Sequence, residues 1–126
     1  MSNKIKIHLA DDHKVLIDGM LAVLKTNSKF EVVGHSLNGL DLVKTVKENK
    51  ADILIMDINM PHKDGIEVLK EFSVSGYTCR VIILSSYDDL KLIKEVLKLG
   101  ATGYLSKECA GESIVEAIEV VASGRE

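Results

Sequence analysis

Polar side chains that could do chemistry follow four short apolar runs of this sequence. In chain order these side chains are Asp11 and Asp12, then Asp57 and Asn59, then Ser85, and finally Lys107. Three carboxylates brought to one place would repel one another and raise one another's pKa values unless a cation neutralised them. Because hard oxygen ligands suit Mg²⁺ or Mn²⁺, Asp11, Asp12 and Asp57 predict a divalent metal site.

The lysine and the serine add groups that can hold a phosphoryl group. Lys107 would supply a positive charge, and the hydroxyl of Ser85 would donate a hydrogen bond to a phosphoryl oxygen. Asp57 would supply a carboxylate nucleophile. The set of residues therefore predicts phosphoryl transfer to Asp57.

Five runs rich in β-branched residues predict the strands that position these side chains. They cover residues 5–9, 31–35, 53–56, 80–84 and 102–105. The third and fourth runs, ILIM and VIIL, are continuously apolar, which is typical of central strands in a parallel sheet covered on both faces.

Segments of helical periodicity alternate with the strands. They cover residues 15–24, 40–46, 66–72, 90–97 and 114–121. Asn38, with Asp41 three residues later, predicts a helix N-cap, and Gly100 after Leu99 predicts a glycine just beyond a helix end.

This alternation predicts an α/β fold in which a doubly wound, five-stranded parallel sheet lies between two layers of helices. Ligands of such sheets bind beyond the carboxyl ends of the strands, where the polar side chains fall. The length of 126 residues and the 46% hydrophobic content predict one globular domain.

Charge and hydropathy exclude other classes of protein. The 16 basic and 19 acidic residues give a net charge of −3, without a basic stretch that would predict nucleic-acid binding. The apolar runs are far shorter than the ~20 residues of a membrane span, and a signal-peptide pattern is absent. We therefore expect a cytoplasmic protein that does not enter a membrane.

The cysteines and histidines lack the spacing of metal sites. Cys79 and Cys109 are interpreted as small core residues. The histidines are interpreted as structural or surface groups, not metal ligands; they are His8, His13, His35 and His62.

Four segments together resemble the receiver domain of bacterial two-component response regulators. They are the Asp11-Asp12 pair, ILIMDINMPHKDG at residues 53–65, VIILSS at residues 81–86 and GATGYLSK at residues 100–107. The resemblance covers essentially the whole chain. It implies the flavodoxin-like (βα)5 fold with strand order 2-1-3-4-5.

The resemblance also implies a role for each acidic position. Asp57 would be the phosphoacceptor, receiving its phosphoryl group from a sensor histidine kinase. Asp12, Asp57 and the backbone carbonyl of Asn59 would bind Mg²⁺ (or Mn²⁺), and Asp11 would contact it through water.

The remaining positions would detect the modification. Lys107 would pair with the phosphoryl oxygens, Ser85 would move towards them, and Tyr104 would turn into the space that Ser85 leaves. We also expect Tyr87, two residues after the switch serine, to restrict the water that hydrolyses the acyl phosphate.

The finer pattern, with Asp11-Asp12-His13 and GYLSK, resembles the LuxR/FixJ (NarL) type. Residues 1–126 would then be the N-terminal receiver domain of a longer chain whose helix-turn-helix DNA-binding domain is not present here. The implied partners are the kinase and a phosphorylation-dependent second copy, with DNA contacted only through the absent domain. A stand-alone receiver is the alternative.

Three other classes of function fit less well. An aspartyl-phosphate phosphatase of the haloacid-dehalogenase kind needs a titratable acid two residues after its nucleophile, where this chain has Asn59. A flavin binder would need a glycine-rich phosphate loop after the first strand. A receiver that is never phosphorylated is disfavoured because every expected polar group is present. We expect no enzymatic activity beyond self-phosphorylation from a donor and slow hydrolysis.

Overall fold

The computed structural model describes residues 4–60, 63–76, 79–86 and 90–123, except the side chain of Cys109. Strands and helices alternate along the chain, as the sequence predicts. The strands are β1 (Ile5–Ala10), β2 (Phe30–Ser36), β3 (Ile53–Asp57), β4 (Arg80–Ser85) and β5 (Gly103–Ser106). The helices are α1 (Lys14–Lys25), α2 (Leu42–Asn49), α3 (Gly65–Ser75), α4 (Leu90–Lys98) and α5 (Ala110–Ala122), with a short 3₁₀ turn (Lys107–Cys109) before α5.

The five strands form one parallel sheet in the order β2-β1-β3-β4-β5. This confirms the predicted doubly wound topology. All five residues of β3 are buried, as are the last five of β4, because helices cover both faces of the sheet centre.

Alternate side chains of the central strands divide the core in two. Ile53 and Ile55 pack with α1 and α5, whereas Leu54 and Met56 pack with α2, α3 and α4. Each fully buried aliphatic side chain of this kind contributes roughly 1.5–3 kcal/mol of stabilisation. The two cores meet at β3, which is the middle strand of the sheet.

The end of α4 confirms the prediction for Gly100. Gly100 has a φ of 108°, which favours glycine because it lacks a Cβ atom. Its N–H donates to the Leu97 carbonyl at 3.2 Å, and the Ala101 N–H donates to the Val96 carbonyl at 2.9 Å. These paired bonds are a Schellman motif, and they direct the chain into β5.

The predicted start of α2 is wrong. The helix begins at Leu42, and its N-cap position is Asp41, whose backbone is left-handed with a φ of 60°. Asn38 instead accepts a hydrogen bond from the Leu40 N–H at 2.8 Å. This local turn competes with helix formation, so Leu40 lies outside the helix and is 57% exposed.

All five strands end one residue later than predicted; in addition, β2 begins one residue earlier and β5 begins one residue later than predicted. As a result Asp57 and Ser85 are the last residues of β3 and β4 rather than the first residues of the loops. Asp57 pairs with Leu84 and Ser85 pairs with Ser106, so ladder pairing reaches the polar residues themselves.

Cys79 and His8 have the structural roles expected of them. Cys79 packs against the core, and burial raises the pKa of its thiol to about 12. His8 is fully buried in β1, whereas His35 is exposed. Cys109's side chain and His62 lie outside the described residues.

No helix in the described part of the chain is long and apolar enough to cross a membrane.

Candidate functional site

The ends of β1 and β3 place two buried aspartates side by side. Ala10 pairs with Met56 in the sheet, so Asp11 and Asp57 are the next residues along neighbouring strands. The Asp11 N–H donates to the Ser36 carbonyl at 3.0 Å, which holds the loop after β1 against β2. The side chains of Asp11 and Asp57 are 0% and 2% exposed, whereas that of Asp12 is 36% exposed.

Asp57 accepts hydrogen bonds at both carboxylate oxygens. Its Oδ2 atom lies 2.8 Å from Lys107 Nζ, and its Oδ1 atom accepts from the Asn59 backbone N–H at 3.1 Å. The Ile58 N–H donates to the Leu84 carbonyl at 3.0 Å, which anchors the start of the loop after β3. The carboxylate is therefore held in one orientation.

Lys107 reaches the aspartates from the turn after β5. Its side chain is only 13% exposed, and its Nζ atom lies 3.2 Å from Asp11 Oδ2. The hydroxyl of Ser106 caps the 3₁₀ turn by accepting from the Glu108 N–H at 3.3 Å. The turn thus begins at the lysine and directs it across the carboxyl edge of the sheet.

Burial and charge shift the pKa values of the central pair. Burial raises the pKa of Asp57, and the Asp11 charge adds to this, against the hydrogen bonds from Lys107 and Asn59. Burial alone would lower the pKa of Lys107, but the hydrogen bond and charge of Asp57, together with Asp11, raise it overall. Lys107 is therefore cationic, and its hydrogen bond favours the ionised form of Asp57.

The acidic groups form a cluster that could hold a metal ion. One ligand atom from each of four residues lies within 4.8 Å of the others; the residues are Asp11, Asp12, His13 and Asp57. Asp11 Oδ2 is buried and accepts no hydrogen bond from the described residues, although Lys107 lies at ion-pair distance. An oxygen-rich donor set with an unsatisfied buried oxygen fits a divalent cation.

His13 lies in this cluster, although its sequence context predicts a structural or surface group and not a metal ligand. The His13 N–H donates to Asp11 Oδ1 at 2.7 Å, and the ring Nδ1 lies 2.9 Å from the same oxygen. The signal that could have found it is the position directly after Asp11-Asp12, where a tight turn folds the ring back onto the carboxylate.

The other predicted site residues lie around the cluster. Ser85 is fully buried at the end of β4, one residue beyond the Asp57 partner Leu84. Asn59 is exposed and contributes its backbone N–H. Tyr104 pairs with Ile83 and packs on the face of the sheet covered by α4. Tyr87 lies outside the described residues, so its predicted role stays a prediction.

The family model described as "response regulator receiver domain" matches residues 7–119. This chain belongs to that family. The match spans both aspartate-bearing strand ends and the Lys107 turn, and it confirms the resemblance seen in the sequence. Receiver domains act in phosphorylation-dependent signalling, which is the general role of this chain.

Relatives of this receiver domain include transcriptional regulatory proteins and response regulators. The chain is 38% identical over 122 residues to the transcriptional regulatory protein DegU of Brevibacillus brevis, covering 97% of the chain and 52% of the relative. It is 34% identical to the response regulator UvrY of Escherichia coli, covering 96% of the chain and 56% of the relative. The chain spans about half the length of these relatives.

Solved receiver domains have the same fold. The signal receiver domain of the response regulator NarL from Mycobacterium tuberculosis superposes with a TM-score of 0.91 at 28% identity, covering 97% of this chain and 98% of that one. A LuxR-family DNA-binding response regulator from Staphylococcus aureus gives 0.85 at 29% identity, covering 93% and 98%. These comparisons place the receiver domain in the NarL/LuxR class.

Proposed function

We propose that this receiver domain accepts a phosphoryl group on Asp57 from a sensor histidine kinase and then changes the surface it offers to partners. The observation that carries the proposal is the contact of 2.8 Å between Lys107 Nζ and Asp57 Oδ2 within the acidic cluster. A buried carboxylate can act as the nucleophile of phosphoryl transfer when an ammonium orients it and a cation site lies beside it.

In this reaction an oxygen of the Asp57 carboxylate attacks the phosphorus of the donor. A bond forms between that oxygen and phosphorus, which makes Asp57 an acyl phosphate, and the bond from phosphorus to the donor atom breaks. The attack needs ionised Asp57, which the Lys107 hydrogen bond favours against burial. Lys107 then pairs with the charge of the phosphoryl oxygens, as a compact ammonium does.

Mg²⁺ is the metal we propose for the cluster, with Mn²⁺ as a substitute. Asp12, Asp57 and the backbone carbonyl of Asn59 would hold it, and Asp11 would contact it through water. When bound, the ion would neutralise charge on the carboxylates and on the incoming phosphoryl group. The buried Asp11 oxygen without a hydrogen bond supports a cation at this place.

Ser85 and Tyr104 are the proposed switch pair. Ser85 ends β4 beside the acceptor strand, and Tyr104 lies on β5, the strand paired with β4. A phosphoryl group that draws the Ser85 hydroxyl towards it would free space for the Tyr104 ring. Moving such an equilibrium from 1:99 to 99:1 takes ~5.5 kcal/mol of differential binding.

We propose that the domain is a switch and not an enzyme acting on other molecules, apart from its own phosphorylation and slow hydrolysis. A phosphatase that uses an aspartyl phosphate needs a general acid near the nucleophile. The residue two positions after Asp57 is the amide Asn59, which does not titrate. The acyl phosphate formed on Asp57 would therefore persist long enough to signal.

The output we propose is control of transcription through an attached helix-turn-helix domain that is absent from these 126 residues. Several relatives that this chain matches, such as DegU, are named transcriptional regulatory proteins, and the chain spans about half of their length. A stand-alone receiver that acts through protein contacts is the alternative. The coding sequence beyond residue 126 separates the two.

The experiment is intact mass spectrometry after incubation with acetyl phosphate, with and without Mg²⁺. Wild type should gain one phosphoryl mass, about 80 Da, only with Mg²⁺, and Asp57→Asn should gain none. Equal labelling of the two proteins would show that Asp57 is not the acceptor. Size-exclusion chromatography of the labelled protein then tests whether phosphorylation drives dimerisation.

A further inference from the structure

His13 lies inside the acidic cluster. Its Nδ1 atom is 2.9 Å from Asp11 Oδ1 and 3.2 Å from Asp12 Oδ1. One ligand atom from each of Asp11, Asp12, His13 and Asp57 lies within 4.8 Å of the others. Two atoms bound to one ion at about 2.1 Å are at most about 4.2 Å apart, so small side-chain movements would close the set around a cation.

The buried oxygen of Asp11 is an independent sign of a missing positive group. The Asp11 side chain is 0% exposed, and its Oδ2 atom accepts no hydrogen bond from any residue that the structure describes. Lys107 Nζ lies 3.2 Å from this oxygen and 2.8 Å from Asp57 Oδ2, so one ammonium faces two buried carboxylates. The net negative charge that remains costs free energy, which a bound cation would offset.

The Nδ1 atom of His13 lies between a hydrogen-bond acceptor and a hydrogen-bond donor. Nδ1 lies 2.9 Å from Asp11 Oδ1, which accepts hydrogen bonds, and 3.2 Å from Lys107 Nζ, which donates them. One ring nitrogen either donates or accepts, so it cannot serve both. A cation between the ring and the carboxylates would take the Nδ1 lone pair and both negative charges, and would serve all three groups.

We propose that His13 is a nitrogen ligand of this metal site and strengthens its preference for first-row divalent ions of the Zn²⁺ and Co²⁺ class over Mg²⁺. The proposal rests on the metal site of the proposed function and adds one ligand and a metal preference to it. Mg²⁺ takes oxygen ligands, whereas imidazole suits Zn²⁺ and its first-row neighbours. The His13 side chain is 65% exposed, so an ion can reach it from solvent.

His13 can be replaced without removing a helix cap. It occupies the N-cap position of α1, but its side chain makes no capping hydrogen bond. The hydrogen bond of 2.7 Å to Asp11 Oδ1 comes from its backbone N–H, which alanine retains. His13→Ala therefore removes the imidazole and leaves the acidic residues in place.

The experiment compares metal binding by the whole chain in wild type, His13→Ala and His35→Ala. Titration calorimetry on metal-free protein would give the affinities for Co²⁺, Zn²⁺ and Mg²⁺. Carboxylates alone also prefer first-row ions to Mg²⁺, so the informative quantity is the change between variants. His13→Ala should weaken Co²⁺ and Zn²⁺ binding at least about tenfold and Mg²⁺ binding less than about twofold.

His35→Ala is the matched control, because His35 is exposed and lies outside the cluster. It should change none of the affinities. Equal Co²⁺ affinity in wild type and His13→Ala, or no Co²⁺ binding by wild type, would overturn the proposal. Absence of Mg²⁺ binding by wild type, with Co²⁺ binding still dependent on His13, would instead reject the Mg²⁺ assignment of the proposed function.

Proton NMR of the Co²⁺ complex gives a second readout that does not depend on a variant's folding. Wild type should show a paramagnetically shifted imidazole resonance from a cobalt-bound histidine. His13→Ala, checked for native circular dichroism, should lack it. A wild-type Co²⁺ complex without such a resonance would show that only oxygen ligands bind the ion.

Discussion

Lys107 Nζ lies 2.8 Å from Asp57 Oδ2, although 50 positions of the chain separate the two residues. The contact joins the turn after β5 to the end of β3, with β4 between them in the sheet. It therefore depends on the order and register of three strands. A change at this contact should be detected in the chemistry of Asp57 before it is detected in the stability of the fold.

Replacing Lys107 with alanine should permit some phosphorylation but uncouple it from output. The ammonium opposes the effect of burial on the Asp57 pKa, so its loss should raise that pKa further. Ionised Asp57 would then appear only at higher pH, and the midpoint of the labelling rate against pH should move upward. Acetyl phosphate labelling across pH measures this midpoint. Lys25→Ala, at an exposed position in the last turn of α1, should leave the midpoint unchanged.

Replacing Asp12 with alanine should remove Mg²⁺ binding and with it the Mg²⁺ dependence of labelling. Because a ligand that binds only the folded state stabilises it, excess Mg²⁺ should raise the free energy of unfolding of wild type by about 1.4 kcal/mol for each tenfold excess over the dissociation constant. The melting temperature of wild type should rise accordingly. The variant should melt at the same temperature with and without Mg²⁺. Asp18→Ala changes an exposed acid on α1 and should keep the wild-type response. If Mg²⁺ still raised the melting temperature of Asp12→Ala, the ion would have to bind without Asp12, which would contradict the proposed site.

His8 should make the protein less stable as the pH falls from about 6.5 to about 4. Its Nε2 atom lies 2.8 Å from Ser36 Oγ and its Nδ1 atom lies 3.3 Å from Asn49 Nδ2, which suits a neutral ring. Burial, helped by His35, lowers the pKa of His8 from 6.5 to about 4. In this window the unfolded chain binds a proton that the folded chain does not, so the free energy of unfolding falls by up to about 3 kcal/mol.

Urea unfolding from pH 7 to pH 4 measures this dependence. His8→Gln should show a smaller loss of stability over the same window than wild type. An NMR titration in which the His8 ring of the folded protein becomes protonated near pH 6.5 would contradict the expectation.

Gly39 should tolerate no side chain. A Cβ atom there would lie 1.9 Å from the backbone oxygen of Lys63, so the loops after β2 and β3 would have to separate. We expect Gly39→Ala to destabilise the fold by about 1–3 kcal/mol. Gly19→Ala is the matched control, since a Cβ atom in that exposed turn of α1 meets nothing within 4 Å. Because glycine disfavours helices, this second change should stabilise by about 0.5–1 kcal/mol. Thermal unfolding of both variants gives the comparison.

The sequence alone determined the fold class and the edge of the sheet where the polar residues meet. Continuously apolar β3 and β4 required cover on both faces, and that requirement predicts a parallel sheet with helices on each side. Parallel strands carry their carboxyl ends to one edge, so Asp57 and Lys107 could be assigned to one site without coordinates. Gly100 could also be placed, because a glycine after a periodic segment is a local signal.

Only the tertiary structure decided how the site residues differ from one another. Asp11 and Asp12 are adjacent acids, yet one is fully buried and the other is 36% exposed, because the loop after β1 is held against β2 through Ser36. His13 joins the cluster for the same reason, and Asn38 forms a turn where a helix cap was predicted. Strand periodicity is a property of neighbouring residues, but burial and the direction of a ring depend on contacts with distant segments. Those contacts form only when the strands assemble into the sheet, so the sequence pattern could not predict them.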